Sequence, residues 1–280
     1  MRTLRKYALY LLLGFFLLVV ALDVWGYLTL GSLTPATDPV RDERANEVVM
    51  VFGATGSVGD GLLKAVLEDP GVEKIYIVTR RSSPRIQAAV ASDSAAVIMQ
   101  EDFTDYSGLS DILGEVNTVL WALGTSSLNV DDRTYTKIHV DFPIAFISEW
   151  LSARRQGPMA FHFVAGMGTD PEGSAHWARE KGRAEREMTA LAEGTGLRSF
   201  SYRSGFIRPT SEQANVLHYM LESLLRPGKL VISARDLGAA MLEISARTDE
   251  LANGTIVDNA DSIRYAEAYR ETSLNRTHNR

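Results

Sequence analysis

Two hydrophobic patterns divide the chain. From Tyr7 to Leu22 apolar residues run without a charge, Asp23 interrupts them, and apolar character resumes from Val24 to Leu30. This stretch lacks the polar face that a helix packed on a soluble core would present. As a helix it is about 36 Å long, enough to cross a hydrocarbon core of about 30 Å with some tilt. The pattern predicts an N-terminal transmembrane anchor over residues 7–30, with Asp23 toward the headgroups. Two alternatives are an interfacial helix and a cleaved signal peptide. The latter has an apolar region of about 7–15 residues followed by a small-residue cleavage pattern, and none follows Leu22.

Residues 31–46 contain Thr34-Pro35, Asp38-Pro39 and mixed charges without an apolar period, and are expected to form a linker. From Glu47 onward short β-branched runs alternate with longer helical patterns, as in successive βαβ units. Strands are predicted at Val48–Phe52, Lys74–Val78, Ala96–Met99, Thr118–Ala122, Ala160–Val164 and Arg198–Arg203. Helices are predicted over Asp132–Arg155, where Val140, Ile144, Ile147 and Leu151 share a face, and over about Ala175–Glu193. The fold class is therefore α/β, a doubly wound parallel sheet preceded by the membrane helix. The folded domain is placed at 47–271, with a small C-terminal substrate-side region, and a frayed polar tail at 272–280. Met220 with Leu217, Leu221, Leu224 and Leu225 forms a stripe between Asn215 and Arg226. A core helix over the substrate side is the expectation; a lipid-facing lid near the anchor is the alternative.

Composition narrows the function. The 280 residues are 45% hydrophobic and 23% charged, an ordinary globular balance. With 29 Lys+Arg against 35 Asp+Glu the net charge is −6, which argues against nucleic acid as a partner. The absence of cysteine removes disulfides, thiolate nucleophiles and Cys-ligated metals. No His/Asp/Glu group has metal-ligand spacing, so no metal is expected. His162 falls on a strand pattern, and His139 and Asp141 at i, i+2 do not share a helix face.

The strongest chemical signal follows the first strand. The apolar run Val48–Phe52 leads into Gly53-Ala54-Thr55-Gly56-Ser57-Val58-Gly59 and then into helically spaced Leu62, Leu63, Val66 and Leu67. In such a strand–turn–helix unit Gly53 allows the tight turn, Gly56 lets the backbone approach a pyrophosphate, and Gly59 permits close helix–sheet packing. The helix start offers free N–H groups and partial positive charge to the anion. A lone glycine triplet would mark only a flexible turn; in this order of elements it predicts a Rossmann-type dinucleotide site. At the end of the second strand, where NAD sites usually place an acid for the ribose hydroxyls, stand Thr79, Arg80 and Arg81. A guanidinium pairs with a 2′-phosphate that a carboxylate would repel, so NADP (as NADPH) is expected ahead of NAD, unless both arginines belong to a solvated loop. Asp102 is positioned to bond the adenine amino group with Phe103 beside the ring, and Ala122, Leu123 and Gly124 are small enough for the cofactor to lie against.

From Val48 to about Asp258 the chain resembles an atypical short-chain dehydrogenase/reductase, nearest in pattern to the Tat-interacting oxidoreductase-like and NmrA-like groups. The resemblance rests on Gly53–Gly59, Asp102, Lys181-Gly182-Arg183-Ala184-Glu185 and Tyr202-Arg203-Ser204-Gly205-Phe206-Ile207. It implies that Gly205 and Ile207 lie by the nicotinamide carboxamide, and that Lys181 bonds the nicotinamide ribose. It also implies a catalytic Tyr four residues before Lys181 and a Ser after the fifth strand. Trp177 replaces the Tyr, and Val164-Ala165-Gly166-Met167 offers no hydroxyl. An indole N–H cannot give up a proton near neutral pH. His176 is the neighbouring candidate to replace the Tyr, although it points about 100° away on an ideal helix. Tyr135, Thr125 and Ser126 are placed near the substrate space.

The expectation is a membrane-anchored NADP(H)-binding protein of this type that reduces a carbonyl of an apolar substrate slowly or atypically. The alternative is a noncatalytic NADPH-binding sensor or assembly scaffold. Arg2, Arg5 and Lys6 would send the domain outward by the positive-inside tendency, whereas an intracellular cofactor favours the cytoplasmic face, which is the side preferred.

Overall fold

The computed structural model describes residues 2–154 and 156–278. The chain opens with α1 (Arg2–Thr29). Its segment Leu12–Thr29 has a mean hydropathy of 2.0 and is 6% buried, long and apolar enough to cross a membrane.

The body of the protein alternates strands and helices. In chain order these are β1 (Val48–Phe52), α2 (Ser57–Glu68), β2 (Lys74–Thr79), α3 (Pro84–Ala91), β3 (Ala96–Met99), α4 (Ser110–Leu113), β4 (Thr118–Trp121) and α5 (Asp132–Thr136). There follow α6 (Phe142–Ala153), β5 (Met159–Val164), α7 (His176–Ala192), β6 (Leu197–Arg203), β7 (Phe206–Arg208) and α8 (Val216–Leu225). The last elements are β8 (Val231–Ser233), α9 (Ala234–Ala246), β9 (Thr255–Asp258) and α10 (Asn259–His278). Among the described residues seven strands form one parallel sheet in the order β3-β2-β1-β4-β5-β6-β9, and β7 pairs with β8 separately.

Alternation along β1 divides the core. Val49 and Val51 pack with Leu62 and Val66 of α2, Met241 of α9 and Tyr265 of α10. Met50 and Phe52 face the other way, toward Phe146 and Trp150 of α6 and Met188 of α7. Helices thus cover both faces, as a buried parallel sheet requires. Chain order reverses between β1 and β4, so a crevice opens at their C-terminal ends, where ligands of such sheets bind.

Several expectations meet a different structure. The helix expected over Asp132–Arg155 runs unbroken from Asp132 to Ala153, but α5 and α6 flank a π-helical segment, Lys137–Asp141, within it. Arg155 itself lies outside the described residues. Residues 31–46 are docked rather than free. Asp261 accepts from the Leu33 N–H at 2.8 Å, Arg41 pairs with buried Glu243 at 2.6 Å, and the Asn46 side chain donates to the Leu242 carbonyl at 2.7 Å. Helix α10 continues through the expected polar tail to His278. No residue of α8 is buried, so the core position expected for it is overturned. Its inner face is mixed: His218 stacks on Phe206 and Glu222 pairs with Arg208, with half-buried Leu221 and Leu225 beside them.

Candidate functional site

Three glycines shape the turn after β1. Gly53 takes φ +75°, and a Cβ there would lie 2.4 Å from the Ala122 carbonyl oxygen on β4's side of the crevice. A Cβ on Gly59 would come 2.1 Å from the Gly53 oxygen, so this glycine seats the first turn of α2 against the loop. Gly56 differs. It is exposed, it is the N-cap of α2 without a side-chain cap, and the nearest atom to an added Cβ is the Gly53 oxygen at 3.4 Å. Solvent-side space therefore lies over a helix start whose first N–H groups have no partner within the helix. Ser57 and Val58 belong to that first turn.

A cleft of about 150 Å³ runs from this turn. Gly53, Thr55, Gly56, Thr79, Arg80, Arg81, Phe103, Ala122, Leu123 and Gly124 all border it, so residues from four strand ends meet as the spacing predicted. Arg80 and Arg81 are exposed, and the Arg80 guanidinium lies 5.6 Å from the centroid of the buried Phe103 ring. That stacking holds a cation at the cleft rim without neutralising it. Asp102 does not border the cleft. Its Oδ1 accepts from the Thr104 N–H at 2.9 Å and the Thr104 hydroxyl at 2.6 Å, which holds its carboxyl below the usual range.

Lys181 does not border this cleft; it lies at the end of β5. Its Nζ donates to the Val164 carbonyl at 2.9 Å and stands 5.4 Å from the Phe163 ring centroid. Burial pulls its pKa down to about 8. Two residues beyond Val164, Gly166 has φ +106° and open space where a Cβ would stand. Trp177 packs its indole over Gly168, whose added Cβ would lie 3.1 Å from the ring. His176 faces α5: its Nε2 is 3.2 Å from the Asp132 carbonyl and 3.4 Å from the Thr136 hydroxyl. Gly205 and Ile207 are absorbed by local structure. The Gly205 N–H donates to Asn259 Oδ1 at 3.1 Å, and Ile207 pairs with Ile232 across β7 and β8.

His139 was not singled out by its spacing, yet it packs against Gly124 at the border of the cleft. It is buried on the π-helical segment, its ring 4.2 Å from that of Tyr135, and its Cε1 is 2.7 Å from where a Cβ of Gly124 would stand. Nε2 lies 3.0 Å from the Thr125 oxygen and 3.2 Å from its nitrogen, while Nδ1 is buried with no hydrogen-bond partner among the described residues. Burial, reinforced by the charge of Lys181, lowers its pKa to about 3. The usable sequence signal was Tyr135–His139 at i, i+4. His162 is a sheet residue: Nδ1 is 2.8 Å from the Tyr202 hydroxyl and Nε2 is 2.7 Å from Ser245 Oγ. Among the described residues no cluster could hold a metal ion.

No protein-family profile matches the chain. Solved structures of a similar shape do. A 3-oxoacyl-[acyl-carrier protein] reductase from Brucella melitensis superposes with a TM-score of 0.59 at 16% identity, covering 78% of this chain and 98% of that one. An oxidoreductase of the short-chain dehydrogenase/reductase family from Burkholderia thailandensis gives 0.57 at 17%, covering 85% and 98%. The chain has the Rossmann fold of the short-chain dehydrogenases/reductases. A 3-oxoacyl-[acyl-carrier protein] reductase from Brucella melitensis in complex with NAD gives 0.56 at 16%, covering 78% and 98%. In sequence, leucinostatins biosynthesis cluster protein T of Purpureocillium lilacinum is 25% identical over 210 residues, 74% of each chain. The mitochondrial protein FMP52 of Saccharomyces cerevisiae is 30% identical over 146 residues, 51% of this chain and 59% of that protein.

Proposed function

We propose that this short-chain dehydrogenase/reductase-like chain binds NADP(H) along the turn Gly53–Gly59 and is held by α1 at the cytoplasmic face of a membrane, where it reduces a carbonyl of an apolar substrate at a low rate. The observation that carries the reading is the cleft that joins the open space over Gly56 to Arg80, which has no acidic partner among the described residues. The donor set fits the cofactor: helix N–H groups suit a pyrophosphate, and a stacked guanidinium suits a 2′-phosphate. Thr55, Gly56, Ser57 and Val58 would hold the pyrophosphate, Arg80 and Arg81 the extra phosphate, and Lys181 the nicotinamide ribose. When bound, NADPH supplies a hydride for a carbonyl carbon.

The chain's own residues limit the rate. Trp177 cannot give a proton to the carbonyl oxygen, and Gly166 offers no hydroxyl to orient it. His176 or water is left to supply that proton. A positioned acid typically contributes about 10² to 10⁴ in rate, so its loss leaves a slow reductase. The same two residues favour the second reading, a sensor or assembly scaffold that holds NADPH as a structural ligand. The cytoplasmic side is supported by where the cofactor pool resides.

The test is a fluorescence titration of the full chain in nanodiscs with NADPH and NADH. Tighter binding of NADPH, with the difference lost in Arg80→Ser, is expected. Equal affinity would remove the role given to Arg80, and no binding of either would overturn both readings.

A further inference from the structure

We propose that α8 lies in the lipid–water interface of the membrane that α1 enters, with Val216, Leu217, Met220 and Leu224 set into the acyl boundary. The inference rests on the reading of α1 as a membrane anchor. Those four side chains are 61–76% exposed. On an ideal helix they occupy an arc of about 100°, and the residues opposite are His218, Glu222 and Leu225. A surface helix of a soluble domain buries its apolar stripe and turns polar groups outward. In α8 an apolar stripe is left exposed instead, although half-buried Leu221 and Leu225 join His218 and Glu222 on the inner side. His218 stacks on Phe206 with ring centroids 6.2 Å apart, Glu222 pairs with Arg208 Nε at 2.7 Å, and the Arg208 guanidinium lies 5.3 Å from the Tyr219 ring centroid. His218 and Glu222, with Leu221 and Leu225, set the helix against the domain and leave the stripe Val216, Leu217, Met220 and Leu224 facing out.

What covers the stripe follows from its continuity with α1. The turn Arg226–Gly228 begins where α8 ends. That turn is the place at which α1 meets the domain. A Cβ on Gly26 would lie 2.2 Å from the Gly228 carbonyl oxygen, so the two backbones touch. Lys229 Nζ lies 3.3 Å from Asp23 Oδ1 and 5.8 Å from the Tyr27 ring centroid. An Asp–Lys pair at this point sets headgroup level on α1, because neither charge is tolerated in hydrocarbon. Helix α8 therefore ends at the level at which the anchor leaves the lipid. Exposed Arg226 stands at its end as a cation for lipid phosphates. An apolar stripe so placed suits a helix whose outer face sinks about 5–10 Å into the headgroup and acyl boundary. The consequence for the proposed reaction is that an apolar substrate could reach the domain from the bilayer.

The chain contains no cysteine, so single cysteines can carry an environment-sensitive fluorophore in the full-length protein. Leu217→Cys, Met220→Cys and Leu224→Cys report α8, Phe15→Cys reports α1, and Met99→Cys on β3 is the solvent control. All five positions are exposed and leave the core intact. In phosphatidylcholine–phosphatidylserine vesicles carrying nitroxide-labelled lipid, the α8 probes are expected to be blue-shifted. They should also be quenched several-fold more strongly than the Met99 probe, most by nitroxides near the headgroup. Quenching at Phe15 without quenching on α8 would overturn the proposal and leave the anchor standing. No quenching at either would remove the anchor and the proposal with it. A blue shift on α8 without lipid quenching would place a protein surface, such as a second copy, on the stripe and also overturn the proposal.

Discussion

Lys181 on α7 donates from Nζ to the carbonyl oxygen of Val164, the last residue of β5, at 2.9 Å. The bond fixes a cation at the strand end where a nicotinamide ribose would lie in the proposed complex. Burial lowers the Lys181 pKa to about 8, so the ammonium is largely protonated at neutral pH and is lost as pH rises through that value. NADPH affinity is expected to fall by about tenfold, roughly 1.4 kcal/mol, between pH 7 and 9. Lys181→Met should bind more weakly at pH 7 and show a flatter profile. A wild-type titration with no slope in that window would remove Lys181 from the site.

The glycines of the turn separate folding from binding. Gly59→Ala drives a Cβ to 2.1 Å from the Gly53 oxygen and is expected to cost about 1–3 kcal/mol or more of stability. Gly56→Ala meets only a 3.4 Å contact, and its backbone at φ −86° and ψ 162° suits alanine. Its stability loss should stay under about 1 kcal/mol, while NADPH affinity drops at least tenfold because the methyl fills the space over the helix start. Thermal denaturation and binding measured on both variants check the split. Equal binding by Gly56→Ala and wild type would place the pyrophosphate elsewhere.

Much of this was legible in sequence because a parallel strand buried on both faces writes a continuous apolar run. Val48–Phe52 is such a strand and has the boundaries that the pattern predicts; the edge strand Ala96–Met99 has them too, although its ends are exposed. The glycine turn was legible for the same local reason, since Gly53 requires a positive φ. Helix α9 left no such trace. Eleven of its residues, from Ala234 to Ala246, are buried on all sides, so no polar face alternates with an apolar one. The π-helical segment that turns His139 toward Gly124 depends on tertiary packing and has no signature in spacing. Asp102 was read as a ligand-facing acid, and the local Thr104 bonds that hold its Oδ1 compete with that role.

Trp177 and Gly166 decide between the two readings of function. Trp177→Tyr with Gly166→Ser supplies the two missing groups. Serine at φ +106° is strained and should cost about 1–3 kcal/mol, so folding is checked by circular dichroism. With NADPH and an apolar ketone, a rate gain of about 10² or more is expected if the pocket is that of a disabled reductase. An unchanged rate in a folded double variant would support the sensor or scaffold.

Buried His139 makes stability depend on acid. Its pKa is lowered from 6.5 to about 3, so the folded state binds fewer protons than the unfolded chain between those values. The stabilising difference is fully present above about 6.5 and is lost as pH falls, by about 1.4 kcal/mol per unit. His139→Gln is expected to flatten the stability profile of the protein between pH 6.5 and 4 in urea titrations. Buried His162, also lowered, contributes the slope that remains. An unchanged profile in the variant would show that His139 is solvated.

The central claim is that the turn Gly53–Gly59 receives a diphosphate and that Arg80 receives the 2′-phosphate. A structure of the full-length protein determined with excess NADPH tests both halves at once. The account predicts the pyrophosphate over Gly56 at the start of α2 and the 2′-phosphate against the Arg80 guanidinium. A crevice that stays empty at saturating NADPH, or a coenzyme lying anywhere else on the protein, would contradict it.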